Sequence, residues 1–259
     1  MSDSFDKLVK IMARLRAPDG CPWDREQTHK SLKPYLIEEA YETMEAMDSG
    51  DDAEFQAELG DLLLQIVFHA QLAAEEGRFT MDAVADGICE KLIRRHPHVF
   101  GEEKAETAEK VLHNWEKIKK EEKAGKEKDS VLDGVPATMP ALLRAKRLQS
   151  KAKNVGFDWD TVDGAFQKLE EEMAEFREAF RAMDPKRLEE ELGDLLFTMV
   201  NVSRLLKINP EEALTGSIAK FINRFKYVER EVAKSGQELG KVGLERMDQL
   251  WEEAKRHGI

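Results

Sequence analysis

The chain has 259 residues, 41% of them hydrophobic, with 52 Asp+Glu against 40 Lys+Arg and a formal charge of −12. That apolar share excludes global disorder, and the acidic balance excludes a basic face built to grip nucleic-acid phosphates, so a polyanionic ligand needs a mediating cation. Two cysteines, Cys21 and Cys89, without CxxC spacing exclude a zinc knuckle and a disulfide scaffold.

The start, Met1-Ser-Asp-Ser-Phe-Asp6, has no basic stretch followed by an apolar run, and the longest apolar stretches are broken by Gln65, Asn201 or charges. Neither a signal peptide nor a membrane span is expected, and a cytoplasmic location fits. From Leu8, Ile11, Met12 and Leu15 onward, apolar residues recur at helical intervals, so the fold class expected is all-α. Breakers mark the joints. They are Pro18-Asp-Gly20, Ser49-Gly-Asp-Asp52, Gly77, Pro97 and Gly101, then Gly134-Val-Pro136, Gly156, Asp184-Pro185 and Pro210. Between the two series runs the charged tract Lys119–Asp129, read as the end of a helix leading into a solvated linker.

The chain repeats itself. Glu38-Glu39-Ala-Tyr-Glu42 recurs as Glu171-Glu172-Met-Ala-Glu175, and Glu58-Leu-Gly-Asp61 as Glu191-Leu-Gly-Asp194, both 133 positions on. Further along, Lys91-Leu-Ile-Arg-Arg95 aligns with Lys220-Phe-Ile-Asn-Arg224, and Trp115 with Trp251. Two tandem helical-bundle domains are therefore expected, at 1–125 and 136–259, joined by a linker at 126–135.

In an antiparallel helical hairpin, residues equidistant from the turn lie level, because both helices rise equally per residue. Glu39 and Asp61, and Glu42 and Glu58, are symmetric about Gly50. Glu172 and Asp194, and Glu175 and Glu191, are symmetric about Met183. Positions i and i+3 share a helix face, so four carboxylates can converge in each copy. Crowded carboxylates repel, and hard divalent cations relieve them; an all-oxygen set suits Mg²⁺ or Mn²⁺ rather than zinc. An acidic, merely solvated face is the alternative. The Glu26–His29 pair is the sole Glu-x-x-His match and stands beside a Pro-Trp turn, which does not make a di-iron bundle.

With these residues in view, the sequence resembles the MazG family of nucleoside triphosphate pyrophosphohydrolases over essentially its whole length. The resemblance rests on E-E-x-x-E followed by E-x-x-D in both copies. It rests also on Gly20-Cys-Pro-Trp-Asp24, Arg94-Arg-His-Pro-His-Val-Phe100 and Asn154-Val-Gly-Phe-Asp-Trp159. It implies an all-α, Mg²⁺-dependent NTP pyrophosphatase that cleaves a nucleoside triphosphate to the monophosphate and pyrophosphate, assembles as a homodimer and cleans the nucleotide pool.

On this reading Glu172, Glu175, Glu191 and Asp194 hold the metal, and Glu171 positions or deprotonates water. Lys168, Lys220 and Arg224 meet phosphates, and Asn223 and Trp251 face ribose or base. The first copy offers Glu38, Glu39, Glu42, Glu58 and Asp61, with Lys91 and Arg95. Lys168 stands where the first copy has Tyr35, and Asn223 where it has Arg94, so the second copy is expected to be the main catalytic unit. Two alternatives stand beside this reading: a narrower dUTP or dCTP pyrophosphatase, and a non-enzymatic metal-binding helical adaptor. No nucleic-acid or membrane partner is expected.

Overall fold

The helices begin and end where the sequence places its punctuation. The computed structural model describes residues 3–105, 107–122 and 130–259, and among them every regular element is helical. The chain divides into two units, residues 1–126 and 127–259. The first contains α1 (Asp3–Leu15), α2 (Pro22–Glu26), α3 (Lys33–Ser49), α4 (Asp52–Glu75), α5 (Met81–Arg95), α6 (Pro97–Phe100) and α7 (Ala108–Glu121). The second contains α8 (Ala141–Lys153), α9 (Val162–Ala182), α10 (Pro185–Leu205), α11 (Pro210–Lys234), a 3-10 turn (Leu239–Lys241) and α12 (Leu244–Arg256). Of the linker expected at 126–135, residues 126–129 lie outside the described residues, as does the 123–129 part of the charged tract.

Each unit is organised around one long hairpin, α3–α4 or α9–α10. The two turns are built alike. Gly50 closes α3 with φ 75°, and Met183 closes α9 with φ 51°, both left-handed. The next residue is an aspartate that caps the following helix: Asp51 accepts from the Ala53 and Glu54 amides, and Asp184 from the Lys186 and Arg187 amides. The turn therefore falls on the two positions about which the carboxylates are symmetric.

In the first unit α1 lies on α4, and Met12, Leu32, Val67, Phe68 and Leu72 form the core. Arg16 ties α1 to α4 through Glu75, at 2.7 Å. In the second unit α8 covers α10 and α11, and α12 covers α11, where Val228, Val232, Val242 and Leu250 make a separate cluster. Behind the hairpins α1 packs on α4 and α8 on α10, and of the paired carboxylates on the hairpins only Glu172 is buried.

A left-handed residue with a side chain costs about 1–2 kcal/mol relative to glycine in the same conformation. Gly50→Ala should therefore lower stability by about 1 kcal/mol, although nothing lies within 4 Å of the added Cβ. Met183→Gly should move stability the other way. Denaturant unfolding of the two variants checks this, and shifts of the same sign at both turns contradict it.

Candidate functional site

In the first unit α3 carries Glu38, Glu39 and Glu42, and α4 carries Glu58 and Asp61. Glu39, Glu58 and Asp61 each offer a carboxylate oxygen within 4.8 Å of the others. Glu38 and Glu42 are exposed. Thr43, 3% exposed, holds the two helices together at this level, its hydroxyl 2.7 Å from the Glu39 carbonyl and 3.3 Å from that of Glu58. Gln65 Nε2 donates to Glu39 Oε1 at 3.5 Å.

In the second unit the converging set is Glu172, Glu175 and Glu191, again within 4.8 Å, with Glu172 only 5% exposed. Asp194 is exposed and stands outside the set. Each hairpin thus brings three of its four level carboxylates together, and the one left aside differs: Glu42 in the first, Asp194 in the second. Levels along the axis follow from the helical rise; the direction a side chain takes around the axis does not.

Cations distinguish the two sites. Lys168 Nζ lies 2.8 Å from Glu171 Oε1 and 2.9 Å from Glu172 Oε1, and these contacts raise the lysine's pKa. Arg187 Nη2 is 3.5 Å from Glu191. The carboxylates of this unit are therefore partly compensated by charge. Arg187 was legible as the residue four before Glu191 on the same helix. In the first unit Tyr35 replaces the lysine and sets its ring edge-on to Trp23, with centroids 6.1 Å apart.

The basic residues of the third helices fare differently too. Arg94 and Arg95 both close on Glu122, at 2.7 and 2.6 Å, and Arg95, then Arg94, hold that carboxyl at a pKa of about 2. Lys91 is exposed. In the second unit Lys220 and Asn223 are exposed, and Lys220 makes no ion pair among the described residues. Arg224 lies 5.7 Å over the Trp251 ring and donates to the main-chain oxygen of Ile259 at 2.7 Å. Trp251 also meets Phe221 at 5.3 Å and borders the α11–α12 core. Nothing in the spacing marks Glu122, in the charged tract, as the partner of both arginines.

The Asn154–Trp159 motif shapes a further feature of the second unit, a cavity of about 480 Å³ lined by Gln149, Phe157, Trp159, Phe197, Asn201 and Arg204 among others. Asp158 and Arg204 form an ion pair at its wall.

Electrostatics singles out the carboxylates. Burial, then Asp61 and Glu42, push Glu39 up; burial, then Glu42 and Asp61, push Glu58 up; burial, then Glu191 and Glu172, push Glu175 up. An all-oxygen, mutually repelling set of this size suits a hard divalent cation.

Helical hairpins that each present a converging carboxylate cluster define an all-α protein with two candidate sites for a hard divalent cation. The profile of the MazG nucleotide pyrophosphohydrolase domain matches residues 27–100 and 161–229. A Thermotoga maritima protein named nucleoside triphosphate pyrophosphohydrolase/pyrophosphatase MazG is 50% identical over 251 residues, which is 97% of this chain and 95% of the relative. An Escherichia coli K12 protein named nucleoside triphosphate pyrophosphohydrolase is 47% identical over 99% of both chains. Bacillus subtilis YabN is 51% identical over 97% of this chain, which spans 51% of that longer protein. The chain belongs to the MazG family of nucleotide pyrophosphohydrolases and is a hydrolase.

The raised carboxyls make a pH prediction. Between the ordinary glutamate range and the raised values the folded state binds more protons than the unfolded chain, so without a divalent cation stability falls as pH rises through that window. A bound cation removes the repulsion and competes with protons. Melting should show a larger Mg²⁺- or Mn²⁺-induced rise in Tm at pH 8 than at pH 5; equal rises at both contradict the clusters as the binding sites.

Proposed function

We propose that the chain is a Mg²⁺-dependent nucleoside triphosphate pyrophosphohydrolase that keeps the nucleotide pool clean, with the second unit as its main catalytic centre. The observation that carries this reading is the convergence of Glu172, Glu175 and Glu191 beside Lys168. Family membership supports the chemistry, and the names of the Thermotoga and Escherichia relatives support the triphosphate substrate.

Glu172, Glu175 and Glu191 would hold Mg²⁺ or Mn²⁺, with Asp194 one turn from Glu191 completing the set on rotation of its side chain. The ion supplies charge neutralisation for the phosphate oxygens and the leaving group. Lys168 is shared between Glu171 and Glu172 and can exchange one carboxylate for a phosphate oxygen. Lys220 carries an uncommitted ammonium to the same end, and Arg224 a guanidinium already seated on Trp251. Glu171, exposed and paired only to Lys168 among the described residues, orients a water and takes its proton. The water oxygen bonds to the α-phosphorus, the bond from that phosphorus to the bridging α–β oxygen breaks, and pyrophosphate leaves. Asn223 and Trp251 lie towards the ribose or base.

In the first unit Arg94 and Arg95 are spent on Glu122 and Tyr35 brings no charge, so of the cations offered to a triphosphate there only Lys91 has no ion pair among the described residues, whereas the second unit offers Lys168, Lys220 and Arg224. That unit is proposed as a metal-binding partner copy. Glu172→Gln should lower pyrophosphate release about a hundredfold or more, and Glu39→Gln by less than about threefold. Equal residual activity in the two variants overturns the division of labour. Assay of each NTP and dNTP settles the alternatives: monophosphate and pyrophosphate support the proposal, a single dUTP or dCTP substrate narrows it, and no turnover favours an adaptor.

The chain is further proposed to act as a homodimer. Leu192, Leu196 and Met199 run as an i, i+4, i+7 stripe on α10, 46–52% exposed, and Ile37, Tyr41 and Met44 form one of the same spacing on α3, 48–57% exposed. Apolar stripes of this kind are what a helical bundle covers with a neighbour. Gly60 and Gly193, each beside a site aspartate, have nothing within 4 Å of a built Cβ, which suits close approach by a second chain. Sedimentation should give twice the 29.6 kDa chain mass, and Leu196→Asp should shift it to the single mass; a wild-type monomer overturns this.

A further inference from the structure

Beside the carboxylates of the first unit lies a line of polar side chains that the proposed reaction does not use. Arg78, just past the end of α4, donates to His29 Nε2. His29 Nδ1 lies 2.8 Å from His69 Nδ1, and the two rings are parallel within 4°, with centroids 5.0 Å apart. A nitrogen–nitrogen contact that short is closer than stacked rings can come, so the imidazoles meet edge to edge through a hydrogen bond.

The protons in this line are fixed by chemistry. A guanidinium only donates, so His29 Nε2 accepts and bears no proton. Neutral His29 then carries its proton on Nδ1 and donates it to His69 Nδ1. His69, whose pKa burial and His29 both lower, is neutral and carries its proton on Nε2. That Nε2–H is buried without a partner among the described residues. Four residues back, on the same face of α4, Gln65 is 6% exposed and its Oε1 is buried without a partner as well. The orientation of this amide is not free: a carboxylate cannot donate, so the NH₂ must face Glu39 and the oxygen must face away.

A buried donor and a buried acceptor, one helical turn apart and both unmatched, are the partners that an internal water takes. We propose that Arg78, His29, His69 and Gln65 form a relay, closed by one water between His69 Nε2 and Gln65 Oε1, that positions Glu39 for cation binding. His69 and Gln65 are positioning residues. The relay rests on the metal reading of the first unit, and it is peculiar to that unit: the positions 133 further on are Thr198 and Val202, and there Lys168 holds the equivalent glutamate. The first unit thus orients its half-buried Glu39 carboxylate with a neutral amide where the second uses a charge. That keeps the cluster's full negative charge for a cation and leaves it without the ammonium that Lys168 sets beside the second cluster.

Two measurements on the full chain test this. Nitrogen-15 NMR of the imidazoles above neutral pH should find His29 protonated on Nδ1 and His69 on Nε2; His29 protonated on Nε2 overturns the relay. Mn²⁺ titration in a Glu172→Gln, Glu191→Gln background then reads the first unit alone. His69→Leu and Gln65→Leu should each weaken Mn²⁺ about tenfold, the usual size for removing an outer partner of a ligand, and His69→Gln, which restores a donor, should recover most of it. Unchanged affinity in both leucine variants overturns the positioning role. If Glu39→Gln in that background also leaves Mn²⁺ binding unchanged, the metal reading of the first unit falls, and the relay stands or falls on the tautomers.

Discussion

The repulsion among carboxylates across a helical hairpin is the constraint on which the rest of the molecule turns. Three acidic oxygens lie within 4.8 Å of one another in each unit; burial and then the neighbouring carboxylates raise the proton affinity of Glu39, Glu58 and Glu175, and like charges this close push the helices apart. The hairpin resists because its two helices are pinned at the turn by a left-handed residue and an aspartate cap, and from behind by an apolar core. The same repulsion makes the site receptive, since a cation gains what the carboxylates lose.

The two units answer that constraint differently. The second brings charge to it, through Lys168 on Glu171 and Glu172 and Arg187 on Glu191. The first brings neutral groups, Thr43 across the two backbones and Gln65 on Glu39, and spends its nearby arginines on Glu122. One architecture, written twice, therefore presents a cationic rim in one copy and an almost uncompensated anionic pocket in the other. Chemistry on a triphosphate suits the first arrangement, because phosphate oxygens need cations besides the metal.

Much of the site was legible because helices are regular. Equal rise along both arms of a hairpin let sequence positions alone predict which carboxylates are level, and the turns at Gly50 and Met183 fall on the predicted mirror points. What escaped was everything that depends on rotation about the helix axis or on contacts between distant segments. Glu42 and Asp194 stay outside the converging sets, Trp251 is shared with Phe221 and Arg224, and the Arg94–Arg95 pair closes on a glutamate 28 and 27 residues on.

The sequence by itself determined the helical class, the repeat, the turns and the set of acids from which a metal site can be drawn, since these follow from periodicity, punctuation and spacing. Only the tertiary structure decided which three acids converge, which cations are committed and which remain available, and that His29 and His69, 40 residues apart, share a hydrogen bond beside Gln65. The physical reason is that charge compensation acts over a few ångströms in space, and a chain's order does not record which side chains its packing brings that close.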